Sequence, residues 1–270
     1  MSSNEKKVRL DQLLVERRMV ESREKARRLI MAGQVEVDGQ RIDKPASRVS
    51  TSSEIKIIRP DPYVSRGAYK LIGALDHFKI EVEGLVACDV GSSTGGFTQV
   101  LLERGAKRVY CVDVGKGQLH WKLRNDPRVK VLEGVNARYL TLEAIGEPVD
   151  LCTVDVSFIS LRLVLPAIKN VLKPGGKVIA LVKPQFEAGR RDVRKGIVLK
   201  PNVHASVLKS MIEYALNLEL VCEGITYSPL PGTKGNIEYF LLLSNDKRES
   251  SFMDLNVESI VEAAFKNLRG

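Results

Sequence analysis

The chain has 270 residues, a net charge of +9 from 42 Lys and Arg against 33 Asp and Glu, and a composition 44% hydrophobic and 28% charged. That is enough chain for one sizeable core with a small appended domain, and the balance is that of a folded domain, not of a disordered tail. No apolar run approaches the roughly 18–20 residues of a membrane span and the first seven residues carry no apolar leader, so a cytoplasmic protein with no membrane partner is expected.

Residues 1–60 read as a separate unit. An amphipathic helix opens over 8–15, and Ser22 caps a second one over 23–32 that stops at Gly33, with Ala26, Leu29 and Ile30 on its buried side. Residues 34–42 alternate as strands around Asp38-Gly39, the signature of a hairpin. This unit holds fourteen Lys and Arg against nine Asp and Glu, over half of the chain's net charge in under a quarter of its length. Arg9, Arg23, Lys25, Arg27 and Arg28 are therefore candidate phosphate contacts, although a plain solvated face would also expose arginines. A proline-stiffened linker is expected at 61–65, before a second domain over 66–270.

In that second domain Ala68, Leu71, Ile72, Leu75 and Phe78 recur at helical spacing, with Arg66 at the head of the helix and Lys70 on it. Residues 86–90 read as a buried strand containing Asp89. The turn Gly91-Ser92-Ser93-Thr94-Gly95-Gly96 breaks it, and helical spacing resumes from Phe97. Strand, glycine turn and helix N-terminus together make a ligand-binding corner. A dinucleotide fingerprint needs glycine where Ser93 stands, and a P-loop needs lysine where Phe97 stands.

The next strand, 108–113, ends in Asp113, where an acid accepts the ribose hydroxyls of a nucleoside in an open α/β sheet. For the glycines alone, an ordinary tight turn is the bland alternative. A third strand at 129–132 leads to Asn136.

Strands at 149–155 and, after a turn at 173–176, at 177–183 end in Asp155 and Lys183, which face the same ligand edge. Arg190, Arg191, Arg194 and Lys195 sit in a Gly-bounded loop, and Lys234 in another; both suit a nucleic-acid backbone or simple solubility. The last strand runs over 237–243. An amphipathic helix over 252–268 is expected to pack on the sheet. The cysteines at 88, 111, 152 and 222 lie in or beside apolar runs without metal spacing, and His77, His120 and His204 are scattered, so no metal site is expected.

The glycine turn with Asp113 and Asn136 resembles the S-adenosylmethionine motifs of Rossmann-like methyltransferases. Residues 65–71, 89–97, 155–160, 183–187 and 236–240 together resemble the TlyA family, proteins named as hemolysins but related to FtsJ-type ribosomal RNA methyltransferases. Residues 22–39 resemble the S4 RNA-binding domain.

The resemblance implies an α/β fold: a Rossmann-like methyltransferase sheet of seven strands, the last antiparallel, with a small N-terminal α+β S4 domain. It implies S-adenosylmethionine held by Asp89, Gly91, Ser92, Ser93, Thr94, Gly95, Gly96, Phe97, Asp113 and Asn136. Because the last strand is antiparallel, Glu238 at its start joins the edge where the others end. Lys70, Asp155, Lys183 and Glu238 then match the Lys-Asp-Lys-Glu tetrad of 2'-O-methylation.

The implied partner is ribosomal RNA or a ribosomal subunit, and the implied target a cytidine ribose in 16S RNA, 23S RNA or both. RNA contacts extend to Arg66, Arg190 and Arg191. Lys183 is the expected base or hydroxyl-orienting group, with like-charge repulsion from Lys70 easing its proton loss and Asp155 holding it in place. Some family members carry a tryptophan-containing linker; Tyr63 and two prolines stand here instead. The rival classes are a membrane-active hemolysin, a non-catalytic RNA-binding protein and an S4-bearing pseudouridine synthase. The glycine turn separates the last from a methyltransferase.

Overall fold

The computed structural model describes residues 7–58, 62–246 and 255–269. The leading residues 1–6, linker residues 59–61 and residues 252–254 of the expected C-terminal helix lie outside the described residues. The chain divides into two compact units, Met1–Pro62 and Tyr63–Gly270.

In the first unit, helices Leu10–Glu16 and Arg23–Met31 bury Leu10, Leu14, Ala26 and Ile30 among Val35, Val49 and Ile55 of short strands. Ser22 Oγ caps the second helix by accepting from the Lys25 amide at 3.2 Å. At its other end Gly33 N–H bonds Ile30 O and Gln34 N–H bonds Leu29 O, a Schellman closure. Val37 faces Gln40 across Asp38 and Gly39, which take φ of +51° and +79°. That is the two-residue turn whose twist matches its flanking strands.

The first helix starts later than its pattern suggests. Val8 and Arg9 belong to strand Lys7–Arg9, because Val8 pairs with Val49 in an antiparallel ladder. Asp11 is fully buried and accepts two hydrogen bonds from Arg9 and one from Arg23, all at 3.0 Å. The Arg9 hydrogen bonds, ahead of those from Arg23, hold its carboxyl below the usual range. The cluster therefore stabilises folding above about pH 4, and that contribution is lost as acid protonates Asp11.

The second unit is built on β1 (Val86–Val90), β2 (Arg108–Asp113), β3 (Val129–Glu133), β4 (Val149–Val154), β5 (Leu172–Val182), β6 (Val221–Tyr227) and β7 (Tyr239–Ser244). They form one sheet in the order β6-β7-β5-β4-β1-β2-β3. β7 runs antiparallel to both neighbours, whereas β5, β4, β1, β2 and β3 pair in parallel. The chain thus forms the expected seven-stranded Rossmann-like sheet.

Successive residues feed opposite faces. Cys88, Val90, Cys152 and Val154 join one core layer with α3 (Leu165–Val171), α4 (Pro201–Asn217) and α5 (Val257–Arg269). Ala87 and Leu151 join the other with α1 (Gly67–Phe78) and α2 (Gly96–Glu103). The central strands are apolar on both faces because both are covered. Val257, Val261 and Ala264 of α5 are buried in the first layer, so the C-terminal helix lies on its own sheet. No helix among the described residues is long and apolar enough to cross a membrane.

Three local features refine the expected layout. The turn at 173–176 is carried inside β5 as a register shift between Leu172 and Lys177, with Gly175 N–H bonded to Asn245 O at 2.8 Å. β6 is an edge strand with a register shift between Cys222 and Gly224. Tyr63 and Val64 pack on the core of the second unit, the Val64 N–H donating to Gln99 Oε1 at 2.9 Å.

Candidate active site

Beyond β1 the backbone turns at Gly91 with φ +83°, where a Cβ would lie 2.5 Å from the carbonyl oxygen of Asp155. Any side chain would collide there. Ser93 takes φ +47° and donates its N–H to Asp113 Oδ2 at 2.8 Å, while Asp113 Oδ1 accepts from Gly115 N–H at 2.7 Å. The acid closing β2 is thereby tied to the turn closing β1, and each of its oxygens keeps acceptor capacity for a ligand. Asn136 caps the short turn Ala137–Tyr139, its Oδ1 accepting from Arg138 N–H at 3.1 Å. Gly91, Ser93, Asp113, Asn136 and Asp155 line a groove of about 510 Å³ with apolar contributions from Val112, Val135 and Val156.

Gly91, Ser93 and Asp155 also border a second cleft, of about 600 Å³, lined by Ser92, Thr94, Gly96 and Phe97 from the same turn. All four expected charged residues meet here. Lys70 Nζ lies 2.6 Å from Glu238 Oε2, and Lys183 Nζ lies 2.6 Å from Asp155 Oδ1. Lys183 also donates to Ser157 Oγ at 2.7 Å. The Ser157 contact is aligned as a hydrogen bond. The Asp155 contact is a bent charge pair, leaving Oδ1 buried without an aligned donor.

Each ammonium has its own carboxylate, so the repulsion from Lys70 expected to act on Lys183 is offset by Glu238. Glu238 precedes β7 and is only 2% exposed, beneath Gly232, where a Cβ would fall 1.9 Å from its Oε1. Arg66 stands exposed at the N-cap position of α1 and, like Lys234, lines the cleft.

Two residues expected on the ligand do not border either cleft. Gly95 packs against Leu119 and Leu123. Asp89 is fully buried, accepting from Thr98 Oγ1 at 2.7 Å and Thr153 Oγ1 at 3.2 Å, and so braces β1, α2 and β4 beneath the turn. Burial outweighs these hydroxyl bonds and pushes its carboxyl up to about 7. An acid whose folded pKa lies above its unfolded value favours folding most at low pH, and that advantage fades as pH rises towards about 7. Asp89→Asn is therefore expected to flatten the thermal midpoint between about pH 4 and 7, where the Asp89 contribution declines. Parallel pH profiles for the two proteins in calorimetric scans would contradict this.

Of the expected RNA contacts, Arg190 and Arg191 are exposed and border neither cleft. They precede the hairpin Val193–Arg194 and Ile197–Val198, which is tied to the 230–236 loop by Lys234 Nζ on Lys195 O at 3.2 Å and Asn236 Nδ2 on Gly196 O at 2.9 Å. In the first unit Arg9 and Arg23 are committed to Asp11, and Lys25 pairs with Glu21 at 3.3 Å. Arg27 and Arg28 are exposed on their helix. The hydroxyl of Ser157 was not anticipated, although it stands two positions beyond Asp155 in a motif already singled out.

The antiparallel β7, inserted between β6 and β5, departs from the parallel order of dinucleotide-binding sheets and matches the sheet expected of a Rossmann-like methyltransferase. Comparison with known proteins narrows the class. Residues 63–245 match the FtsJ-like methyltransferase model and residues 8–55 the S4 domain model. The chain is 48% identical over 241 residues to the 16S/23S rRNA (cytidine-2'-O)-methyltransferase TlyA of Mycobacterium tuberculosis, covering 88% of this chain and 90% of that one. It is 39% identical over 234 residues to Hemolysin A of Brachyspira hyodysenteriae, covering 86% and 98%. A solved structure from Streptococcus thermophilus, described as a hemolysin, aligns with a TM-score of 0.77 at 41% identity over 97% of both chains. The chain belongs to the TlyA family of FtsJ-like methyltransferases.

Proposed function

We propose that this protein methylates the 2'-oxygen of a cytidine ribose in ribosomal RNA, using S-adenosylmethionine and its S4 unit as an RNA contact. The observation that carries the reading is the paired, oriented Lys183 in a cleft that shares Gly91, Ser93 and Asp155 with the Asp113 groove. The 2'-O-specific activity is the one for which the Mycobacterium tuberculosis relative is named.

The groove fits the cofactor. Asp113 retains lone pairs for ribose hydroxyls, Asn136 and the apolar residues suit an adenine, and the absent side chain of Gly91 lets the turn run close against the Asp155 backbone where groove and cleft share residues. When bound, S-adenosylmethionine supplies an electrophilic methyl group on a sulfonium. The protein's own part is then orientation and proton removal. Lys183, once its ammonium has released a proton to solvent, directs the ribose hydroxyl and accepts its proton at Nζ. Asp155 holds Lys183 by charge, and the Lys70–Glu238 pair fixes the facing wall. Arg66 and Lys234 at the cleft, with Arg27 and Arg28 on the S4 unit, draw in RNA phosphates. Membrane lysis has no carrying observation, since the apolar face of α5 is spent on the core.

The test is methyl transfer from labelled S-adenosylmethionine to purified ribosomal subunits lacking the modification, with digestion to locate the label. A ribose-methylated cytidine in 16S or 23S RNA is expected. Label on a base, or no label on either subunit by a protein that still binds the cofactor, would overturn the reading.

A further inference from the structure

The loop that follows β4 is built more elaborately than a connection between strand and helix requires. Lys183 is only 8% exposed, and its aligned hydrogen bond goes to Ser157 Oγ at 2.7 Å. Asp155 attracts the same ammonium at 2.6 Å but through a bent contact. Charge therefore keeps Lys183 near the strand ends, while the serine hydroxyl sets where its Nζ points. Ser157 itself lines the groove that holds Asp113.

The conformation presenting Ser157 is unusual and is held in place. Phe158 takes φ +62°, a left-handed setting that non-glycine residues rarely adopt and that survives only where its surroundings enforce it. Just beyond it Glu187 anchors the loop, accepting from Ser160 Oγ at 2.6 Å and Leu161 N–H at 2.8 Å. Glu187 ends the short helix Pro184–Glu187 that begins at the residue after Lys183. The segment after β5 thus grips the loop after β4 twice, once through Glu187 and once through the Lys183–Ser157 contact. The two grips close a ring around the lysine.

We propose that Ser157 is a positioning residue for methyl transfer: its hydroxyl fixes the direction of Lys183 Nζ towards the ribose hydroxyl, within a loop anchored by Glu187. The proposal rests on the reading of Lys183 as the group that handles the ribose proton. A lysine on a four-carbon stem has many rotamers, and one fixed hydrogen bond removes most of them before substrate arrives. A serine hydroxyl suits this task because it accepts from the ammonium and donates to the free amine.

The experiment compares Ser157→Ala and Ser157→Thr with the wild type and Lys183→Met, reading kcat, KM for each substrate and thermal midpoints. Ser157→Ala is expected to lower kcat by about 10–100-fold, the scale of a small misplacement, with both KM values within about twofold. Ser157→Thr, which keeps the hydroxyl, should recover most of that loss. The inference is overturned if Ser157→Ala turns over like the wild type, if only KM rises, or if Ser157→Thr is as slow as Ser157→Ala. A fully active Lys183→Met would instead remove the reading on which it rests.

Discussion

Lys183→Met should slow methyl transfer by on the order of 10²–10⁴-fold while cofactor affinity stays near the wild-type value, because proton transfer by a positioned side chain contributes about that much. The cofactor groove is lined by Asp113, Asn136 and their neighbours, not by Lys183. Lys183→Arg divides the two possible roles. Arginine keeps the positive charge beside Asp155 but does not give up its proton in a protein. A dead Lys183→Arg variant therefore marks proton acceptance as the essential act, and an active one marks orientation by charge. Single-turnover rates with equilibrium cofactor binding provide the check, and near-normal turnover in Lys183→Met would reject the assignment.

Glu238→Ala should destabilise the second unit by about 3–5 kcal/mol, since it leaves Lys70 without its counter-charge in a nearly closed setting. The side chains of Lys70 and Glu238 are 13% and 3% exposed, and their contact is 2.6 Å. For a unit of this size the loss corresponds to about 6–20 °C in thermal midpoint. Replacing both partners, as in Lys70→Met with Glu238→Leu, should return most of the stability, because two apolar side chains leave no buried charge. It should not restore methyl transfer. Recovery of stability without activity would show that the pair is retained for the reaction. An unchanged midpoint in Glu238→Ala would mean that water reaches Lys70 freely.

The elements of this protein were legible because burial leaves a local pattern. β1, β4 and β5 are covered on both faces and so read as largely apolar segments, each close to a position proposed for the site: Gly91, Asp155 and Lys183. The Ser22 cap and the Asp38-Gly39 turn were equally plain, since their hydrogen bonds and φ angles involve only near neighbours. Where a partner lies far along the chain, the pattern was insufficient. Val8 looks helical until Val49 is placed beside it, and β6, exposed at the sheet edge with Glu223 and Gly224 inside it, has no clean apolar run.

The residue types at the site were equally visible, but their pairings were not. By itself the sequence put Asp155 and Lys183 at one sheet edge beside a glycine turn, whereas Glu238 and Lys70 joined them only through the resemblance to the TlyA family. Only the tertiary structure decided that Lys70 joins Glu238 across 168 positions, that Lys183 aligns on Ser157, and that Asp89 turns inward to Thr98 and Thr153. The periodicity that makes a strand or helix is local, whereas which carboxylate meets which ammonium depends on strand order, register and crossover, which no short stretch of chain contains.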